Sequence, residues 1–144
     1  MSDAGSQPDP AALVRGWLEH SPFASHLGLR LESLGHGEAE LALPYEDKLA
    51  TMGDVVHGGA ISSLIDTAAT AAAVSAAPGE GLAGGTTVDI SISLLAAARG
   101  SDLRARARVL RRGRAISFLE VDVEDADGEA VAKGLVTYRV FSNG

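Results

Sequence analysis

The chain has 144 residues, a length that one hydrophobic core organises and that argues against a two-domain enzyme. Hydrophobic residues make up 46% and charged residues 22%, enough apolar mass to exclude wholesale disorder. The absence of cysteine removes thiolate catalysis, disulfides and cysteine-ligated metal centres, and it is compatible with a cytoplasmic protein. A formal net charge of −7 argues against a general nucleic-acid binder, which needs a basic excess to displace counterions from phosphates.

Residues 1–9 carry neither a basic start nor an apolar run, so they read as a flexible tail ahead of a single domain over 10–144. Pro10 stands where a helix can begin, and Leu13, Val14, Trp17 and Leu18 recur at helical spacing until Ser21-Pro22 stops the run. Trp17 suits a core or interface anchor. From His26 to Leu43 apolar and charged residues alternate around Gly35-His36-Gly37, which predicts two strands and a turn, with Ala39, Leu41 and Leu43 on one face. Pro44 to Val56 has no period and reads as a loop.

His57-Gly58-Gly59 then opens an alanine-rich helix that ends before Pro78-Gly79. Its window from Ala60 to Ala77 is long enough to suggest a membrane span, but six hydroxyl or carboxyl side chains in it point to a buried helix instead. Being apolar or small nearly all round, it should be wrapped by sheet. Four strands follow, over Thr86–Leu95, Leu103–Leu110, Ala115–Glu124 and Ala130–Phe141, with turns at Arg112-Gly113 and at 125–128. Two early strands, one long helix and four late strands make an antiparallel α+β domain.

Asp66 is the one ionisable group between His57 and Glu80. A carboxylate on such a helix needs pairing or hydrogen bonds, either as a structural group held by hydroxyls or amides or as a catalytic one. Gly58 and Gly59 leave backbone amides open at a helix start, where the dipole favours an oxyanion, although a flexible helix entry has the same sequence. Gly58 and Asp66 are eight positions apart, about 12 Å of helical rise, so they cannot meet at one carbonyl within a chain. Two antiparallel copies of the helix across a two-fold axis would bring them together, which predicts an obligate dimer.

Between Arg99 and Arg114 the local charge is +6, against −13 for the rest of the chain. Arg104, Arg106 and Arg108 alternate with apolar residues and read as the wet face of a strand. The turn arginines, Arg111, Arg112 and Arg114, are better placed to grip phosphates. His20, His26 and His36 show no metal-ligand spacing, and neither a Gly-x-Ser-x-Gly elbow nor a phosphate-binding loop of the Walker type is present.

The run from Gly53 through His57-Gly58-Gly59 and Asp66 to Ala68 resembles the signature of the PaaI-like hotdog-fold acyl-CoA thioesterases. Pro22 to Leu29, Thr86 to Ser93, and Arg111 to Arg114 followed by a long hairpin fall in that family's order, so the resemblance spans Ser21 to Phe141. It implies a hotdog: an antiparallel sheet wrapped around the long helix, joined into a homodimer by a continuous sheet, with dimers often paired into a homotetramer. It implies hydrolysis of a CoA thioester, aromatic or medium-chain, in the cytoplasm, without a metal or cofactor and without nucleic-acid or membrane partners. Asp66 would act as general base or nucleophile, and the Gly58 amide of the partner subunit would polarise the carbonyl. His57 would orient the turn, and Thr87 or Thr86 would supply a hydroxyl that positions water or the acid. Thr51, Val56 and Gly59 would line the substrate, while Arg112 and Arg114 approach the CoA phosphates. Thr51 stands six residues before His57, where some members of the family have Asn or Gln. A shorter side chain there implies slower hydrolysis or another route for the water, and leaves a non-catalytic acyl-CoA sensor or scaffold as the alternative.

Overall fold

A computed structural model describes residues 9–77 and 82–142. Residues 1–8 of the expected tail, and the Pro78-Gly79 stop, lie outside the described residues. Asp9 caps helix α1 (Pro10–His20) by accepting from the Ala11 N–H, with Pro10 in the first turn. Ser21-Pro22 ends this helix as expected but also starts another. The Ser21 hydroxyl accepts from Ala24 N–H, Pro22 occupies N1, and helix α2 (Pro22–Leu27) runs to a left-handed Gly28. The strand expected from His26 therefore begins at Arg30, because the cap and the proline favour one more helical turn.

Strands β1 (Arg30–Gly35) and β2 (Glu38–Leu43) pair antiparallel around Gly37, and Ala39, Leu41 and Leu43 are all buried. The expected loop at 44–56 instead contains a 3-10 turn (Asp47–Leu49) and a small hairpin, β3 (Ala50–Met52) with β4 (Val55–Val56), closed by Gly53 at φ +58°. Strands of three and two residues are too short to show a hydrophobic period. Helix α3 (Gly58–Ala76) follows, then β5 (Leu82–Leu94), β6 (Leu103–Arg112), β7 (Ile116–Glu124) and β8 (Ala130–Ser142).

Among the described residues six strands form one antiparallel sheet in the order β1-β2-β6-β7-β8-β5, so the 13-residue β5 lies at an edge with β8 as its one neighbour. α3 packs across this sheet, as the hotdog resemblance implies. By length and composition alone α3 could cross a membrane, but Leu64, Ile65, Ala68, Ala69, Ala71 and Ala72 are sealed against the protein's own strands. The seal is close-fitting. Gly134 on β8 lies against Ile65, and a Cβ there would come within 2.7 Å of the isoleucine Cγ2. Ser75, buried near the end of α3, donates to the Ala72 carbonyl and accepts from Gly37 N–H, tying the β1–β2 turn to the helix.

The sheet does not enclose the helix on every side. Ser62, Ser63, Asp66, Thr67 and Thr70 form a half-buried stripe along α3, so the carboxylate expected on a buried helix is itself half-buried, on the stripe that the sheet leaves uncovered. On the outer face of the sheet, Arg104 and Arg106 pair with Glu40, Arg106 with Glu124, and Arg108 with Glu120. Lys133 bridges Glu120 and Asp122, and hydrogen bonds from Lys133 and Arg108 hold Glu120 below the usual carboxylate range. The three alternating arginines are the wet face of a strand.

Gly134→Ala should destabilise the fold by about 1–3 kcal/mol through overpacking. Adding Ile65→Ala, which removes the clashing methyl but leaves a void of its own, should cost less than the sum of the two single changes. Urea denaturation of the four proteins measures this, and strict additivity would contradict the close approach described here.

Candidate active site

The start of α3 is shaped by its cap. His57 has extended backbone, and its Nδ1 accepts from Gly59 N–H at 2.7 Å. The ring folds so closely over Gly59 that a Cβ there would meet Nδ1 at 2.9 Å, which is why this position lacks a side chain. His57 N–H donates to the Leu49 carbonyl at 2.7 Å, fixing the entry to the helix. With the Gly59 amide engaged, Gly58 is the helix-start amide for which no acceptor is found among the described residues. A Cβ on Gly58 would approach Leu94 Cδ1 at 3.0 Å.

A cavity of about 380 Å³ opens beside this amide, lined by Thr51, Val55, Val56, Gly58, Ile61 and residues 94–98. Among the described residues its walls hold no ionisable side chain. Val56 N–H donates to the Ala98 carbonyl at 2.9 Å and Val55 bridges to Arg99, so the β3–β4 hairpin is fastened to the segment that follows β5. Leu94 to Ala98 were not among the residues expected at the site. The sequence signal was there: after the alternation of β5 the chain continues as an unbroken apolar run, Leu94-Leu95-Ala96-Ala97-Ala98.

Asp66 lies two helical turns further on. The Thr87 hydroxyl, from the edge strand β5, donates to its Oδ1 at 2.6 Å. The hydroxyls of the helix itself are committed elsewhere: Ser62 donates to the Gly58 carbonyl, Ser63 to Gly59 and Thr67 to Ser63. Of the two threonines expected near Asp66, Thr87 is the one that reaches it. Thr86 points the other way and is exposed. Tyr138 on β8, absent from the expected site, is the register partner of Thr87 and is buried close to Asp66. Burial pushes its phenol up, and the negative charge of Asp66 pushes it further, while the nearby Thr70 hydroxyl acts in the opposite direction.

Two groups of residues are thus assembled within the chain, Thr51, Val56 and Gly58 at the cavity and Asp66 with Thr87 along the helix, separated by about 12 Å of helical rise. The expected arginines lie elsewhere. Arg112 Nη1 donates to the Ala76 carbonyl and caps the C-terminal end of α3, while Arg114 is exposed in the β6–β7 turn. Beside Asp66, the second edge of β5 has no strand against it among the described residues, and Val88, Ile90 and Leu94 are exposed along it.

The Thioesterase superfamily profile matches residues 53–132, the stretch that contains the cap, the cavity wall, Asp66 and Thr87. A Halobacterium salinarum protein with a provisional esterase name is 38% identical over 142 residues, covering 92% of this chain and 93% of that one. Human acyl-coenzyme A thioesterase 13 is 29% identical over 125 residues, or 85% of this chain and 87% of the human one. The solved structure of the E. coli PaaI protein from the phenylacetic acid degradation operon has the same fold. Its TM-score is 0.84, with 22% identity, over 94% of this chain and 95% of that one.

If His57 acts at this site as a helix cap, His57→Ala should lose about 1 kcal/mol of stability and His57→Asn, a good N-cap, should restore most of it. Chemical denaturation checks both. Equal stability of the alanine variant and the unsubstituted chain would remove the capping role.

Proposed function

Because the chain belongs to the thioesterase superfamily and shares the hotdog fold, we propose that it hydrolyses acyl-CoA thioesters to a carboxylic acid and free CoA. The observation that carries this reading is Asp66: a half-buried carboxylate on the uncovered stripe of α3, held through one oxygen by Thr87 at 2.6 Å. Its other oxygen is left for substrate or water. As general base, Asp66 takes a proton from the water that attacks the thioester carbon. As nucleophile, it forms an anhydride that water then opens. In either case the carbonyl oxygen gains charge, and the C–S bond breaks to release the CoA thiolate, which is then protonated.

The oxyanion is stabilised by the backbone amide of Gly58, for which no acceptor is found among the described residues. Within one chain the spacing forbids its meeting Asp66. We therefore place Gly58 of the partner subunit opposite Asp66, in a homodimer that pairs the free β5 edges and lays the two α3 helices antiparallel. Such pairing would cover Val88, Ile90 and Leu94 and remove a long unpaired edge. Further pairing of dimers into a tetramer is compatible with this arrangement. Human acyl-coenzyme A thioesterase 13 supports the CoA thioester as substrate class. The cavity beside Gly58, walled by aliphatic and small side chains, suits an uncharged aromatic or medium-chain acyl group. Thr51 at its rim places a short hydroxyl near the carbonyl.

Asp66→Asn at matched dimer concentration should lower thiol release from acyl-CoA substrates by at least about a hundredfold while leaving dimer mass and thermal stability near those of the unsubstituted chain. A panel of aromatic, aliphatic and dicarboxylic acyl-CoAs, read with a thiol reagent, measures it. Undiminished turnover would remove Asp66 from the reaction. Acyl-CoA binding without turnover by the unsubstituted chain would turn the reading into that of a binding protein.

A further inference from the structure

One row of hydroxyls crosses the inner face of the sheet at the level of Asp66. Ser117 on β7 is the register partner of Tyr138 on β8, and Tyr138 is that of Thr87 on β5. The inward rows that follow are apolar: Leu119, Val136 and Ile90, then Val121, Gly134 and Ile92. Hydroxyls are thus gathered in the row that ends at the carboxylate. Tyr138 is the member without an evident structural need. At 4% exposure its ring could be a phenylalanine, and a buried phenol oxygen costs free energy unless it is bonded.

The hydroxyl is accommodated at two places. Gly85, two residues before Thr87 on the same face of β5, makes room for it, since a Cβ there would lie 2.5 Å from the phenol oxygen and 2.7 Å from Cζ. Thr70, four residues after Asp66 and so on the same face of α3, lies beside it. The fold therefore spends a side chain on β5 and a hydroxyl on α3 to keep a phenol behind the Asp66–Thr87 pair. Burial and the nearby Asp66 charge both push this phenol up from its ordinary value of 10.0, so it remains a neutral donor across the working range of the enzyme.

We propose that Tyr138 is a positioning residue for thioester hydrolysis: with Thr70 and Thr87 it forms a neutral hydroxyl floor that holds the Asp66 carboxylate in its working orientation. This rests on the reading of Asp66 as the acting carboxylate. Asp66 receives one hydrogen bond from the described residues, at Oδ1, and a carboxylate held at one point can still turn about its own bond. The phenol behind it opposes that turning with its buried ring. Buried at 4% exposure behind Thr87, it acts through the carboxylate, so its loss should act on turnover and not on substrate binding.

The experiment compares Tyr138→Phe, which keeps the ring, and Thr70→Val, which keeps the shape on α3, with Asp66→Asn, all as verified dimers in the thiol-release assay. The expected result for each of the first two is a fall in kcat of about tenfold with KM within about twofold of the unsubstituted value. The double variant should fall no further than about twofold below Tyr138→Phe, since both changes break one connection. Unchanged kcat in Tyr138→Phe and Thr70→Val, with Asp66→Asn inactive, would overturn this proposal alone. Activity retained in Asp66→Asn would overturn the reading of Asp66 and the positioning role with it. A fall in kcat matched by an equal loss of folded dimer would reduce Tyr138 to a packing residue and overturn the proposal as well.

Discussion

The distance between α3 and its sheet governs the rest of the molecule. Ala68, Ala69, Ala71, Ala72 and Ala73 are all essentially sealed, and their single methyl groups let the helix lie nearer the strands than leucines in the same places would. Gly134 beneath Ile65 removes one more side chain from the gap. Aspartate and threonine are short, and the 2.6 Å bond between Asp66 and Thr87 spans from helix to edge strand because that gap is narrow. A helix packed on bulkier side chains would carry Asp66 away from Thr87 and leave the carboxylate without its partner. The alanines that give the core its plain composition are thus also what set the geometry of the site.

A six-stranded sheet covers one side of a helix and leaves the other. The sequence of α3 is divided accordingly, with aliphatic residues under the sheet and Ser62, Ser63, Asp66, Thr67 and Thr70 along the uncovered stripe. On the same side β5 ends the sheet with an unpaired edge and exposed Val88, Ile90 and Leu94. Polar stripe and apolar edge adjoin, so whatever covers the edge also closes over Asp66. In the proposed dimer this converts a defect of the single chain, its inability to bring Gly58 to Asp66, into a requirement for assembly. Chemistry and association then share one surface.

The parts of this structure legible in the sequence are those with a long period or a strong anomaly. The alternation of Leu103, Ala105 and Ala107 with arginines marks β6, and all three are buried. The composition of α3 marks the central helix, and Asp66 is conspicuous there. Its surroundings were less legible. The half-buried position of Asp66 was not legible because helix periodicity cannot tell which part of a weakly amphipathic helix a sheet will leave open. Ser21-Pro22 concealed α2 because the same dipeptide stops one helix and caps the next. The β3–β4 hairpin is shorter than any period. Tyr138 was invisible for a different reason: among Val131, Val136 and Val140 an aromatic residue reads as one more inward side chain, and only the register places its hydroxyl beside Thr87 and Thr70.

Charge was the feature most changed by folding. In sequence, the segment from Arg99 to Arg114 forms a block of +6, which suggests a field for a polyanion. In the sheet, β6 lies between β2 and β7, and the side chains of Glu40, Glu124 and Glu120 meet Arg104, Arg106 and Arg108 one for one or better. Arg99 faces Asp54, and Arg112 is spent on the end of α3. The acidic strands thus neutralise the middle of the block, and the positive charge that remains is concentrated at the β6–β7 turn, where Arg111 and Arg114 are exposed and form no ion pair among the described residues. If the phosphates of a CoA thioester are gripped by this segment, the burden falls on those two side chains, and the three alternating arginines contribute little, since exposed ion pairs already hold them.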